Sequence, residues 1–162
     1  MSAENKATIR RFIEEAWNRG NLSVVDRIFS SDHVGHDPAN PPGFPPPGPD
    51  GVKGLVTMYR TAFPDAHFTI EDQIAEGDKV ATRWRASGTH KGDLMGIAPT
   101  GRKVTVTGIT IDHFDGVRNM ESWSNWDALG LMQQLGVVPK LVLSQSPDPE
   151  PCEGEGASEG MG

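Results

Sequence analysis

A carboxylate removes a proton from carbon most readily in an apolar pocket, where burial raises its pKa, with hydrogen-bond donors beside it for the developing oxyanion. The strings Thr110-Ile111-Asp112 and Ser122-Trp123-Ser124 offer that combination. Thr110 and Asp112 stand two apart and so share one face of a strand. If Phe114-Asp115-Gly116 forms a three-residue loop with Gly116 at the bulge, Ser122 and Ser124 join that face, setting one carboxylate among three hydroxyls. A two-residue Asp115-Gly116 turn would instead part Asp112 from Ser124 and leave Asp112 and His113 in solvent at the hairpin tip.

His36 and Asp37 stand where the chain enters a proline-rich stretch. A neutral imidazole there can donate to a carbonyl or accept a proton, while Asp37 before Pro38 reads as a turn former. His33 and His36 have a spacing compatible with a metal, but no further ligands cluster nearby, so no metal is expected. His67, His90 and His113 are scattered and read as surface or structural. Trp84 alternates with Val80, Thr82 and Ala86, and Trp17 lies on the apolar face of the first helix. Either ring can wall a flat, conjugated ligand or simply pack in the core. Glu121 reads as a solvated strand residue or an interface charge, and Asp127 as a helix cap.

The elements that must position these residues follow from periodicity. Ile9, Phe12, Ile13, Ala16 and Trp17 recur at helical spacing up to Gly20, predicting a helix over roughly 4 to 18. Val24, Val25, Ile28 and Phe29 mark a shorter helix behind Asn21, after which DHVGHDP leaves the helical period. DPANPPGFPPPGPD is too rich in proline for a helix or a ladder and predicts an irregular loop, either a rim over a site or a stiff connector. Val52, Leu55, Val56, Tyr59 and Phe63 mark a third helix ended by Pro64. Then the period falls to two: Phe68 and Ile70, the Val80 to Ala86 set, and Val104 with Val106 predict antiparallel hairpins turning at Glu76-Gly77-Asp78 and Asp115-Gly116. The apolar set shifts phase from Val104/Val106 to Ile109/Ile111, which predicts a bulge at Gly108. A last strand is expected over 117 to 126, its Trp123 and Trp126 facing opposite ways, one toward the helices and one toward a possible dimer surface. A capped helix over Leu129 to Leu135 follows.

Helices first and antiparallel strands after them make an α+β order, a curved sheet wrapped on N-terminal helices, with a pocket at its open end. A chain of 162 residues with 36% hydrophobic and 23% charged residues fits one globular domain. That domain is expected over residues 1–143. The segment 144–162, with Asp148, Glu150, Glu153, Glu155 and Glu159, lacks the apolar residues to offset ordering entropy and is expected to be a disordered acidic tail. A net charge of −7 argues against nucleic acid or an anionic membrane as partner. No secretory h-region and no run of roughly 18 apolar residues is present, so a cytoplasmic location is expected. The single cysteine, Cys152, lies in the tail and offers neither an internal disulfide nor a credible catalytic thiol.

The strings AFPDAHFTIEDQIAEGDKVATRWRASGTHKGDLMGIAPTGRKVTVTG and ESWSNWDALGLMQQLG together resemble the SnoaL-like polyketide cyclase (ester cyclase) family of the nuclear transport factor 2-like superfamily, over roughly residues 4 to 136. The resemblance implies a cone-shaped α+β barrel, a homodimer through the sheet, and cofactor-free intramolecular aldol condensation on a small hydrophobic or aromatic ligand. It also places the His36-Asp37-Pro38 string near the pocket and Trp84 at a large pocket position. The family's acid/base aspartate falls at Ser124, counting back from Gln134-Leu135-Gly136, and its supporting histidine at Thr110, counting from Pro99-Thr100. Both residues depart from the pattern, and Asp112 is the nearest replacement. Three readings follow. One is a cyclase or isomerase with Asp112 as base and Ser124, Thr110 or His36 orienting the substrate. A hydrolase or dehydratase would need a second pocket carboxylate. The third is a binding module without chemistry.

Overall fold

The computed structural model describes residues 2–140 and 142. The acidic tail and Cys152 lie outside the described residues. The chain begins with α1 (Ser2–Phe12), which runs on into a π-helical stretch, Ile13–Asn18. Ile9, Ile13 and Ala16 are buried along this rod. Its last residue, Asn18, ties it to the sheet: Nδ2 donates to the Phe68 carbonyl at 3.0 Å, and Oδ1 accepts from the Phe68 amide at 2.7 Å. Asn21 accepts from the Ser23 amide at 3.2 Å and opens a short turn, Leu22–Val24, that leads into α2 (Val25–Ile28). α3 (Pro49–Ala62) starts on a proline, whose missing N–H costs nothing at the first position. α4 (Ala128–Leu135) is capped by Asp127, which accepts from the Gly130 amide at 2.8 Å, and ends at Gly136 in the left-handed region, φ 80°.

The sheet has five strands, β1 (Phe29–His36), β2 (His67–Glu76), β3 (Lys79–Thr89), β4 (Lys103–Asp115) and β5 (Arg118–Trp126), in the order β1-β5-β4-β3-β2. Three corrections to the sequence reading matter for the site. The segment 29–36 is an edge strand, although the sequence reading puts Phe29 in the second helix and takes the stretch from Asp32 only as non-helical, and it pairs parallel to β5 within an otherwise antiparallel sheet. The β3–β4 ladder runs without a shift from Lys79↔His113 to Thr89↔Lys103, so there is no bulge at Gly108. Val104, Val106, Thr110 and Asp112 all keep one parity and face inward, while Ile109 and Ile111 face out, 50% and 40% exposed. Finally, the β4–β5 hairpin turns on Gly116 and Val117, with Asp115 opposite Arg118, rather than through a three-residue loop. Gly116 takes φ 61°, which suits a residue without a Cβ.

That tight turn alone would set Asp112 and Ser124 on opposite faces. A register shift in the next residues, where His113 meets Glu121 but Phe114 meets Asn119, leaves Met120 unpaired and restores the phase. Inside the curved sheet, Ile9, Ile13, Val80 and Phe114 pack one end shut. Ala62, Phe63, Leu94, Val104, Leu131 and Leu135 join α3 and α4 to the other end of β4. Between them lies a cavity of about 190 Å³. No helix is long and apolar enough to cross a membrane among the described residues.

Candidate active site

Adjacent inward positions on β4 and β5 build the polar part of the cavity in two rows, Asp112 opposite Ser122 and Thr110 opposite Ser124. Asp112 is 5% exposed and pairs across β3 with the fully buried Val80. Its Oδ1 accepts from Ser122 Oγ at 2.6 Å and from Asn119 Nδ2 at 2.7 Å. Oδ2 accepts no hydrogen bond from the described residues and is left to the cavity that Asp112 lines. Burial pushes this carboxyl up from 3.8 to about 6, against the smaller opposing pull of Ser122 and Asn119. A carboxyl poised there exchanges protons readily near neutral pH.

Ser122 also meets an imidazole the sequence reading did not bring to the site. His33 Nε2 lies 2.9 Å from Ser122 Oγ. A hydroxyl has one proton to give, and Ser122 gives it to Asp112, so the network assigns the proton between His33 and Ser122 to Nε2. Burial lowers the His33 pKa from 6.5 to about 4, with Glu121 pulling the other way and His36 adding slightly, so the ring is neutral at neutral pH. The line His33–Ser122–Asp112 thus ends on the carboxylate. Its serine donates to the carboxylate and accepts from the imidazole, the reverse of a serine activated by histidine, so it orients Asp112 rather than attacking a substrate.

One row along, Trp84 Nε1 donates to Thr110 Oγ1 at 3.1 Å, and Thr110 Oγ1 stands 2.9 Å from Ser124 Oγ. Whichever hydroxyl donates to the other, one O–H of the pair stays free for a ligand oxygen, polarised by the indole N–H behind it. Asp37 also borders the cavity. Its Oδ2 accepts from Trp126 Nε1 at 3.0 Å and its Oδ1 from the Ala39 amide at 2.9 Å, so this second carboxylate anchors the proline-rich loop with both oxygens occupied. Asn40 and Pro45 of that loop line the cavity beside it.

The walls are aromatic. Trp84 packs on Phe68 at 5.2 Å, Phe68 on Trp17 at 4.6 Å, Trp17 on Tyr59 at 6.2 Å and Tyr59 edge-on to Trp126 at 6.0 Å. Trp17 and Trp84 therefore both reach the cavity, as does Trp126, while Trp123 faces outward. His36 borders the cavity as well, but its ring is engaged elsewhere. Its Nε2 pairs with Glu121 Oε1 at 2.7 Å and it stacks on Trp123 at 5.4 Å, leaving His33 as the imidazole within the Asp112 cluster. No group of three or more His, Cys, Asp or Glu residues is placed to hold a metal ion among the described residues. His33, Asn119 and Tyr59 were not singled out for the site from sequence. A strand over 29–36 would have pointed to His33, because alternation then turns it inward.

Helices closing one face of a curved five-stranded sheet around an apolar cavity define the cone-shaped fold of the nuclear transport factor 2-like superfamily. Within that superfamily the chain belongs to the SnoaL-like polyketide cyclase family, whose model matches residues 7–135. Among solved structures it is similar to AclR from Streptomyces galilaeus, provisionally described as a hydroxylase, at 30% identity over 88% of this chain and 87% of that one, TM-score 0.73. It is also similar to a provisionally described polyketide cyclase from Acidithiobacillus ferrooxidans at 34% identity over 85% and 97% of the two chains, TM-score 0.72. IdmH from Streptomyces antibioticus, described in the same provisional terms as a polyketide cyclase, is 33% identical over 82% and 98%, TM-score 0.70. No curated protein sequence matches the chain.

Proposed function

We propose that this chain is a cofactor-independent enzyme of the cyclase or isomerase type, acting on a polyketide-like or aromatic substrate with two carbonyl groups. The observation that carries the reading is a buried carboxyl, Asp112, with one oxygen held by Ser122 and Asn119 and the other left to the cavity, next to a hydroxyl pair with an O–H to spare. Asp112 Oδ2 takes a proton from the carbon α to one carbonyl, and the electron pair passes to that carbonyl oxygen, which the Thr110–Ser124 pair receives. The enolate carbon attacks the second carbonyl, forming a C–C bond. The resulting alkoxide takes the proton back from Oδ2. Family membership supports a reaction of this kind. In this chain the acid stands one row along from the position the family's pattern would give it, on β4 instead of β5.

A panel of flat aromatic diketones, with products read by mass spectrometry, tests the reading. Ligand retention without product from any of them would leave binding alone. On a substrate that turns over, kcat/KM is expected to rise through about pH 6 and level off above it, because the ionised form of Asp112 is the base. A profile flat across that region would remove Asp112 from the role.

We further propose a homodimer through the outer face of the sheet. Ile74, Ala81, Ile111 and Trp123 are register neighbours in one row across β2, β3, β4 and β5, and three of them are large apolar residues exposed to solvent. Arg85 and Glu71, an ion pair at 3.0 Å within the chain, and Glu121, paired with His36, flank this strip and bring both signs to the face that a two-fold contact would meet. Ile111→Glu is expected to shift the molecule from dimer to monomer in light scattering, with catalysis per chain altered little. A wild-type monomer at micromolar concentration would refute the dimer.

A further inference from the structure

We propose that Tyr59 and Asn40 form a second polar subsite, which grips the non-reacting end of the ligand, a neutral end presenting a carbonyl oxygen beside an O–H or N–H donor. The inference deepens the reading above and rests on it for the reacting end. Apart from Asp112 Oδ2 and the spare O–H of the Thr110–Ser124 pair, which serve the reacting end, the polar groups already described around the cavity have partners within the protein. In contrast, Tyr59 Oη and both side-chain polar atoms of Asn40 are buried and find no hydrogen-bond partner among the described residues. Both residues line the cavity. A buried polar atom without a partner costs folding free energy, and the cost is recovered when a ligand supplies the missing bond.

The chemistry of that ligand end follows from the donors and acceptors present. Tyr59 offers an O–H, and Asn40 offers an N–H₂ group and a carbonyl oxygen. A carbonyl beside a hydroxyl, an enol or an amide answers all three. Asp37 settles the charge. The Asn40 main-chain N–H donates to the Asp37 main-chain carbonyl at 3.1 Å, and the Asp37 carboxylate raises the Tyr59 pKa, second to burial, so the phenol stays a donor. Asp37 has both carboxylate oxygens occupied, and its charge disfavours a carboxylate or phosphate beside it.

Distance makes the site two-ended. Tyr59 rests on Trp126, which pairs with Gly108, whereas Asp112 pairs with Ser122, four residues away on each strand. Four strand residues span about 13 Å. A flexible ligand held at both ends is pre-oriented for intramolecular closure, which a single anchor at the reacting carbon cannot achieve.

Titration calorimetry at neutral pH tests this in an Asp112→Asn background, which removes the other pocket charge and separates binding from turnover. The probes share one ring system: 2-naphthamide, 2-naphthoate and 2-ethylnaphthalene. The amide is expected to bind at least about tenfold tighter than the carboxylate, and adding Tyr59→Phe or Asn40→Ala weakens the amide by roughly threefold to tenfold while moving the hydrocarbon less than about twofold. Unchanged amide affinity in both variants, an equal loss for amide and hydrocarbon, a carboxylate that binds as well as the amide, or no amide binding at all would each overturn the proposal. Full turnover by Asp112→Asn would instead overturn the assignment of the base and leave this subsite standing.

Discussion

Turnover by an Asp112→Asn variant is expected to fall by a factor of about 10²–10⁴, the usual loss when a positioned general base is removed. The substitution is chosen because it keeps shape and bonding. An asparagine Oδ1 still accepts from Ser122 and Asn119, which now hold the aspartate at 2.6 and 2.7 Å. Stability separates a chemical role from a structural one. The folded-state pKa of Asp112 lies above its ordinary value, at about 6 against 3.8, so between those values the native state binds more protons than the unfolded chain and stability declines as pH rises. Above about pH 6 the buried carboxylate is a net cost that the neutral amide lacks. The variant should therefore melt no lower than the wild type at neutral pH while losing its activity. A variant that melts well below the wild type would show that the carboxylate holds the fold, and one with full turnover would show that the base lies elsewhere.

Gly108→Ala is expected to damage the pocket from behind. A Cβ built at Gly108 stands 2.5 Å from Trp84 Cζ2 and 2.6 Å from Trp126 Cβ. Neither neighbour can yield easily. Trp84 is held by its bond to Thr110 and its packing on Phe68, and the Trp126 Cβ is fixed to the backbone of β5. Overpacking of this kind costs typically about 1–3 kcal/mol. The melting temperature should drop accordingly. Because the relief is to push the two indoles apart, the Trp84–Thr110 bond at 3.1 Å should lengthen and aromatic ligands should bind more weakly. Unchanged melting and unchanged affinity together would show that the sheet flexes enough at this point to absorb a methyl group.

The parts of the fold that were legible in sequence are those written in short-range periodicity. α1, α3, the two hairpins and the Asp127 cap follow from apolar spacing and from turn and cap residues. β1 does not, for a physical reason. Its burial runs irregularly, with Phe29, Ser30 and His33 inside and Ser31 and Asp32 outside, because the register shifts between Phe29 and Val34 and breaks the period of two. With the strand went His33. Gly108 misled for a different reason: Ile109 and Ile111 are apolar residues on the outer face, so their alternation mimics a change of phase that the ladder does not make.

The company of Asp112 was legible by parity but not by mechanism. Two one-residue offsets, a tight turn at Gly116–Val117 and an unpaired Met120, cancel to bring Asp112 opposite Ser122. Neither offset alone has a strong residue signature. Tyr59 was visible only as one apolar point on α3, because a lone tyrosine at helical spacing carries no sign that its hydroxyl is stranded.

The aromatic wall also has an optical consequence. Of the four indoles in the chain, Trp17, Trp84 and Trp126 border the cavity and Trp123 stacks on His36 outside it. Tyr59, the chain's single tyrosine, lies 6.2 Å from the ring of Trp17 and 6.0 Å from that of Trp126, well within the range of singlet energy transfer. Excitation collected by the phenol is thus delivered to indoles that line the ligand chamber. The protein's emission spectrum is in this sense a gauge of what the chamber holds, with Trp123 as a second channel that watches the opposite face of the sheet.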